Sequence, residues 1–214
     1  MQLPIFAIGI PTLNRYDLLM PAVKKYLTDF PNISIVIIDN GATLLQSYET
    51  RVSVLPQEKN LGVAASWNLL CQIIFKSGFT HALILNDDIE LAAGEAQINE
   101  LITKRPDRLY ITLEDWCAFL MPKFLFKQAG PFDESFFPAY YEDRDYEHRM
   151  KLIGHKPIKE PTLSPAIYRN NSTSEKDPSI YKASLKNRDY YLQKWGGLPG
   201  QEKYLSPFDG KLKK

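Results

Sequence analysis

His81-Ala82-Leu83-Ile84-Leu85-Asn86-Asp87-Asp88 is a short, unbroken apolar run that ends abruptly in one amide and two carboxylates. An apolar segment of this length without alternation suits a strand buried on both faces, as in a parallel sheet sandwiched by helices. Its polar end then falls at the carboxyl edge of the sheet, where open α/β folds receive ligands.

Working outward, the same grammar repeats. Ile33 to Ile38 is a second run, ending at Asp39, with Asn40-Gly41 as its exit turn. Phe6 to Ile10 reads as the first strand, and Leu18, Leu19, Ala22, Val23, Tyr26, Leu27 and Phe30 recur at helical spacing after it. Val52 to Leu55 reads as a short strand; Val63, Trp67, Leu70, Ile74 and Phe75 form a helix stripe that Gly78 stops. Beyond the acidic triplet, Ala92 to Lys104 predicts a helix, Leu109 to Thr112 and Ala118 to Met121 predict strands, and Pro122 to Ala129 predicts a helix closed by Gly130-Pro131. An aromatic loop, Phe136 to Tyr141, leads into a helix from about Glu142 to Ile153, and a last helix is expected near Tyr181 to Trp195. The expected class is α/β, a Rossmann-like, mostly parallel central sheet with flanking helices and a smaller second half. The polar stretch from Asn170 to Pro178 predicts a mobile loop, near 168–178.

The 214 residues, 44% of them hydrophobic, suit one domain, with a first half of about 1–90 and a second of about 91–214. A formal charge of +1 leaves no broad cationic face for a phosphate backbone, so nucleic acid is excluded as the expected partner. Cys71 and Cys117 form no CxxC pair and predict buried thiols in a reducing compartment. The N-terminus lacks a basic start and a long apolar core, and no run reaches the ~18 apolar residues of a membrane span. A cytoplasmic, soluble protein is expected, with peripheral contact to a membrane left open.

Several stretches, taken in order, carry a resemblance: Ile10-Pro11-Thr12-Leu13-Asn14-Arg15, Ile38-Asp39-Asn40, Asn60-Leu61-Gly62 with Trp67-Asn68, Leu85-Asn86-Asp87-Asp88, Gly130-Pro131-Phe132-Asp133-Glu134 and Glu142-Asp143-Arg144-Asp145. Over roughly residues 5 to 155 this succession resembles the GT-A glycosyltransferases of family two, most closely their rhamnosyltransferase-like branch, and the leading domain of algal-virus-encoded members. Asn86-Asp87-Asp88 corresponds to that family's DxD-type signature with Asn in the first position. The resemblance implies Asp88 as ligand to Mn²⁺ or Mg²⁺, Asp87 facing the ribose or donor sugar, and Asp143 as the base that deprotonates an acceptor hydroxyl. It also implies a contact from Asp39 to base or ribose.

Residue chemistry supports these roles, with plainer alternatives alongside. A departing nucleoside diphosphate gathers negative charge, which oxygen-ligated divalent cations neutralise; taken alone, Asp87-Asp88 could be a solvated turn. Pro11, Thr12, Asn14 and Arg15 lie in the first strand's exit loop against the nucleotide, although Asn14 could simply cap the first helix. Asp39 could cap the Asn40-Gly41 turn. Asn60 and Gly62 precede a helix whose free N–H groups allow close approach to the donor, whereas Trp67 lies on the apolar stripe and belongs to the core. Glu142-Asp143 begins a helix whose positive end favours an ionised carboxylate; Asp145 and Arg149 read as an i,i+4 pair. Tyr141 and its aromatic neighbours Phe136, Phe137 and Tyr140 could stack on a sugar or pack a core. The family's later His is missing, since the region reads Ile167-Tyr168-Arg169-Asn170; either water completes the metal shell or, as expected here, Arg169 and Lys176 fold over the diphosphate as a lid.

The expected activity is metal-assisted, inverting transfer of a hexose from a UDP- or dTDP-linked donor to a glycan or glycoconjugate hydroxyl. A non-catalytic nucleotide-sugar-binding module is the alternative. A sugar-1-phosphate nucleotidyltransferase is disfavoured because Ile8-Gly9-Ile10-Pro11 offers no glycine-rich basic loop.

Overall fold

The computed structural model describes residues 5–43, 49–169 and 177–211. Its centre is a seven-stranded sheet in the order β3-β2-β1-β4-β7-β6-β8. The strands are β1 (Phe6–Thr12), β2 (Ile35–Asp39), β3 (Val52–Pro56), β4 (His81–Leu85), β6 (Tyr110–Ile111), β7 (Ala118–Pro122) and β8 (Ile158–Lys159). β7 alone runs against the others, pairing antiparallel with β4 and with β6. A separate ribbon joins β5 (Ile89–Leu91) to β9 (Pro165–Tyr168).

The central strands are apolar along their length, with polar residues only at their ends (Thr12, Asp39, His81), because helices cover both faces. One face gathers Phe6, Ile8, Ile10, Ile35, Ile37, Leu83 and Leu85 beneath α1 (Tyr16–Asp29) and α3 (Glu95–Lys104). The alternate residues Ala7, Val36, Ile38, Ala82 and Ile84 pack under α2 (Gly62–Lys76), α4 (Lys123–Ala129) and α5 (Glu142–Leu152). This period-two partition is what a doubly covered parallel sheet requires. A third, small cluster of Phe136, Tyr191 and Trp195 anchors α6 (Pro178–Trp195).

The register brings the exits together. Thr12 pairs with Asp39 and Asp39 with Pro56, so β1, β2 and β3 finish at one level. From β1 the chain proceeds to β2 on one side and later to β4 on the other, which makes the β1/β4 exit the topological switch point and hence the crevice. Aspartates 87 and 88 follow β4 directly at that crevice.

The sequence expectation for the central strands and helices matches this architecture, with boundaries displaced by a few residues. The helix expected from Ala92 starts at Glu95, because Ile89–Leu91 is drawn into the β5/β9 ribbon. β8 and β9 have no counterpart in the sequence reading. The expected loop near 168–178 is described only at its ends; residues 170–176, with Lys176, lie outside the described residues.

Candidate active site

A cleft of about 390 Å³ opens at the switch point, walled by the exits of β1 and β4, the start of α2, the aromatic loop and the start of α5. Pro11, Thr12, Asn60, Gly62, Asn86, Asp87, Asp88, Glu142 and Asp143 all line it. The sheet exits and the α5 start, distant in sequence, therefore face one hollow.

On the sheet side, Thr12 Oγ1 donates to Asp87 Oδ2 at 2.6 Å, tying β1 to β4. Burial, assisted by the charge of Asp88, pushes the Asp87 carboxyl up to about 7, against the opposing pull of Thr12 and Arg15. Arg15 is buried at the start of α1, its Nε and Nη2 each 3.1 Å from the Asp17 carboxylate. Its Nη1 is buried without a hydrogen-bond partner among the described residues, and both Asp87 and Asp88 stabilise its charge.

The opposite wall depends on tight backbone contacts. Asn40 Nδ2 donates to Ser66 Oγ at 3.0 Å and Asn40 Oδ1 accepts from Leu61 N–H at 2.9 Å, which fixes the β2 exit to the α2 start. Asn60 Oδ1 accepts from Gly62 N–H at 2.8 Å. Gly62 has φ +79°, and a Cβ there would lie 2.8 Å from the Pro138 carbonyl oxygen, so only glycine lets the aromatic loop approach this closely. Val63 N–H donates to the same carbonyl at 2.7 Å.

Glu142 and Asp143 occupy the first turn of α5. Burial, then the charge of Asp143, holds the Glu142 carboxyl well above the usual carboxylate range; its Oε2 is buried without a hydrogen-bond partner among the described residues. Burial raises Asp143 to about 6, while the Arg144 charge and backbone N–H, which donates to Asp143 Oδ1 at 2.8 Å, restrain the rise. Burial thus raises both carboxyls of the pair above the ordinary carboxylate range, as in sites that divide acid and base roles between two carboxyls.

Of the other residues singled out in the sequence, Tyr140 and Trp67 reach the cleft, whereas Asp39, Asn14, Tyr141, Arg169 and Asp145 do not line it. Asp39 is fully buried one strand away, where its Oδ1 accepts from Tyr16 O–H at 2.7 Å and from Gly41 N–H at 3.0 Å. This is the turn-capping geometry. Asn14 adopts φ 56° and does not cap α1, whose first residue is preceded by Arg15. Tyr141 packs on Tyr191 at 5.7 Å between ring centroids, and exposed Arg169 gives its backbone N–H to the Asp88 carbonyl. Trp67 is core, against Phe119 and Phe132, although one edge reaches the cleft. Asp145 is buried between Arg149 Nε at 2.9 Å and Trp195 Nε1 at 2.8 Å, a structural knot.

The sequence reading missed Asp115, Trp116 and Tyr168, all of which line the cleft. Tyr168 O–H donates to Asp115 Oδ2, and Asp115 Oδ1 accepts from Cys117 N–H at 2.8 Å. The one local signal was an acid in the short connection between two predicted strands that border Asp88.

Among the described residues, no group of three or more His, Cys, Asp or Glu side chains is disposed to hold a metal ion. Mg²⁺ and Mn²⁺ in phosphate-handling sites take one or two carboxylates, with substrate phosphates and water filling the rest. The adjacent, buried Asp87 and Asp88 at the cleft wall fit that sparser donor set, and a bound cation would relieve their mutual repulsion.

No protein-family model and no curated protein matches the sequence. The fold, in contrast, is similar to that of solved glycosyltransferases. The mannosyltransferase PcManGT from Pyrobaculum calidifontis, solved in complex with GDP-Man and Mn²⁺, superposes with a TM-score of 0.58 at 10% identity over 77% of this chain and 56% of its own. S. aureus TarS superposes with a TM-score of 0.51 at 12% identity, covering 72% of this chain and 35% of that one. The chain thus spans about half the length of the first and a third of the second. No helix among the described residues is long and apolar enough to cross a membrane.

Proposed function

We propose that this chain is an inverting glycosyltransferase of the GT-A, family-two type, of the rhamnosyltransferase-like branch, acting as one domain on a UDP- or dTDP-linked hexose. The observation that carries the reading is the meeting of Asp87-Asp88 and Glu142-Asp143 across one cleft at the switch point of a glycosyltransferase fold. The known complex of the mannosyltransferase with GDP-Man and Mn²⁺ supports a nucleotide-sugar donor and a divalent cation here.

In this mechanism Asp88 would hold Mn²⁺ or Mg²⁺, which when bound would supply charge neutralisation for the departing diphosphate, and Asp87 would face the ribose or donor sugar. Thr12 positions Asp87 through their hydrogen bond. Pro11, Asn60, Gly62 and Asn86 shape the donor wall, and Arg15 adds positive charge behind the acidic pair. Asp143 accepts the proton of an acceptor hydroxyl; the oxygen attacks the anomeric carbon from the face opposite the diphosphate, so configuration inverts. Glu142, its carboxyl raised by burial, lines the cleft beside Asp143 on the acceptor side. The acceptor is a glycan or glycoconjugate hydroxyl.

The test is a screen of nucleotide sugars with Mn²⁺, Mg²⁺ or EDTA, following release of nucleoside diphosphate. Metal-dependent release from a subset of donors is expected. Metal-dependent binding with no release under any acceptor condition would reassign the chain as a binding module, and no binding at all would refute the proposal.

A further inference from the structure

A second concavity, of about 600 Å³, lies on the far side of α5 and is framed by that helix, the β8 edge and the turn before Glu202. Four cations line it, Arg144 and Lys151 from α5 with Lys156 and Lys159 from the following segment, against two carboxylates, Glu147 and Glu202. The carboxylates are already engaged. Glu147 accepts from Trp116 Nε1 at 2.8 Å and faces Arg144 Nη1 at 3.3 Å. Glu202 Oε1 accepts from Tyr191 O–H at 2.6 Å and Gly200 N–H at 2.9 Å, and its Oε2 lies 3.7 Å from His148 Nδ1. Lys159 donates to the Leu113 carbonyl. Lys151 and Lys156 are exposed, and no ion-pair or hydrogen-bond partner is described for either. In a chain of net charge +1, a concave surface with this excess of cations is a local feature rather than a consequence of composition.

The groove and the first cleft lie on either side of the α5 start. Asp143 lines the first cavity, Arg144 lines the second, and Arg144 Nε sits 3.8 Å from Asp143 Oδ2. We propose that the groove receives the acidic part of the acceptor: a saccharide whose reactive hydroxyl reaches Asp143 continues past Arg144 and lays a carboxylate, phosphate or sulfate on Lys151 and Lys156. This rests on the glycosyltransferase reading of the first cleft. A concave surface whose Arg144 neighbours the proposed base suits a chain-like substrate better than a flat membrane. The near-zero net charge argues against nucleic acid.

The test uses the whole chain and three probes at equal ionic strength: tetragalacturonate, neutral maltotetraose and inorganic phosphate. Titration calorimetry should show tetragalacturonate binding more tightly than either control. The Lys151→Glu/Lys156→Glu double variant should weaken it on the order of tenfold at low salt, and less as salt rises, whereas Lys151→Arg/Lys156→Arg should retain it. Acceptor-independent donor hydrolysis should be the same in all three proteins. Equal binding of the charged and neutral tetrasaccharides, phosphate binding that the saccharide does not surpass, or an unchanged double variant would each overturn the proposal. If donor hydrolysis is present while the groove ignores tetragalacturonate, only this inference falls; if the groove binds but no donor is hydrolysed, the glycosyltransferase reading fails and takes the acceptor assignment with it.

Discussion

At the scale of single residues, the account turns on two neighbouring carboxyls that burial raises. With Asp143 at about 6 and Glu142 well above the usual range, the competent form is Asp143 ionised. Transfer, measured as kcat/KM, should therefore rise with pH through about 6, and Asp143→Asn should lower kcat by about 10²–10⁴ while leaving donor affinity intact. The same burial has an opposite effect on stability. A carboxyl whose folded value lies above its ordinary 3.8 disfavours the folded state once ionised, fully above about pH 6 and not at all below about 4. Asp143→Asn should thus be more stable than the parent at pH 7.5 by about 2 kcal/mol, an advantage that fades toward pH 4 in urea titrations. A variant less stable than the parent at pH 7.5 would show that Asp143 is a structural anchor instead. The residue types at 87, 88 and 143 were readable from sequence because each ends an apolar run or begins a charged helix. Asp115 was not, since its place in the cleft is set by a hairpin whose β6 strand has two residues.

At the scale of elements, the α2 start and the aromatic loop act as one wall. Gly62→Ala places a side chain at φ +79° and against the Pro138 carbonyl. It should cost at least about 1–2 kcal/mol for the left-handed backbone alone, seen as a lower urea midpoint, with weaker donor binding as the wall is displaced. Unchanged stability would mean that the loop does not rest on α2. The sequence exposed the helices through their 3.6-residue periodicity and the parallel strands through their unbroken apolar runs. The β5/β9 ribbon stayed hidden because Ile89–Leu91 is too short to display one, and its partner arrives only at Pro165. Likewise Asp39 ends its strand as expected, yet β2 is one position removed from the crevice, and its carboxylate caps a turn.

At the scale of the molecule, α6 is clamped to the second half by Lys194, whose ammonium lies 2.7 Å from Asp133 Oδ2 and 2.5 Å from Asp145 Oδ1. Burial alone would raise the Asp133 carboxyl, but the Lys194 hydrogen bond and charge outweigh it and draw it down to about 2. A depressed carboxyl adds stability above its ordinary 3.8 and loses it as pH falls toward 2. Lys194→Met should cost about 2–3 kcal/mol at pH 7, with the difference from the parent narrowing between about pH 4 and 2. A pH-independent difference would assign the loss to packing. The clamp was invisible in the sequence, since it joins residues far apart that only the completed fold brings together. The central claim is that the carboxylates at the β4 exit and at the α5 start divide donor binding from proton removal. The most direct test compares the parent, Asp88→Ala and Asp143→Asn for Mn²⁺-dependent nucleotide-sugar binding and for sugar transfer. Asp88→Ala should lose metal-assisted binding, and Asp143→Asn should bind normally yet fail to transfer; equal transfer by all three proteins would refute this division of roles.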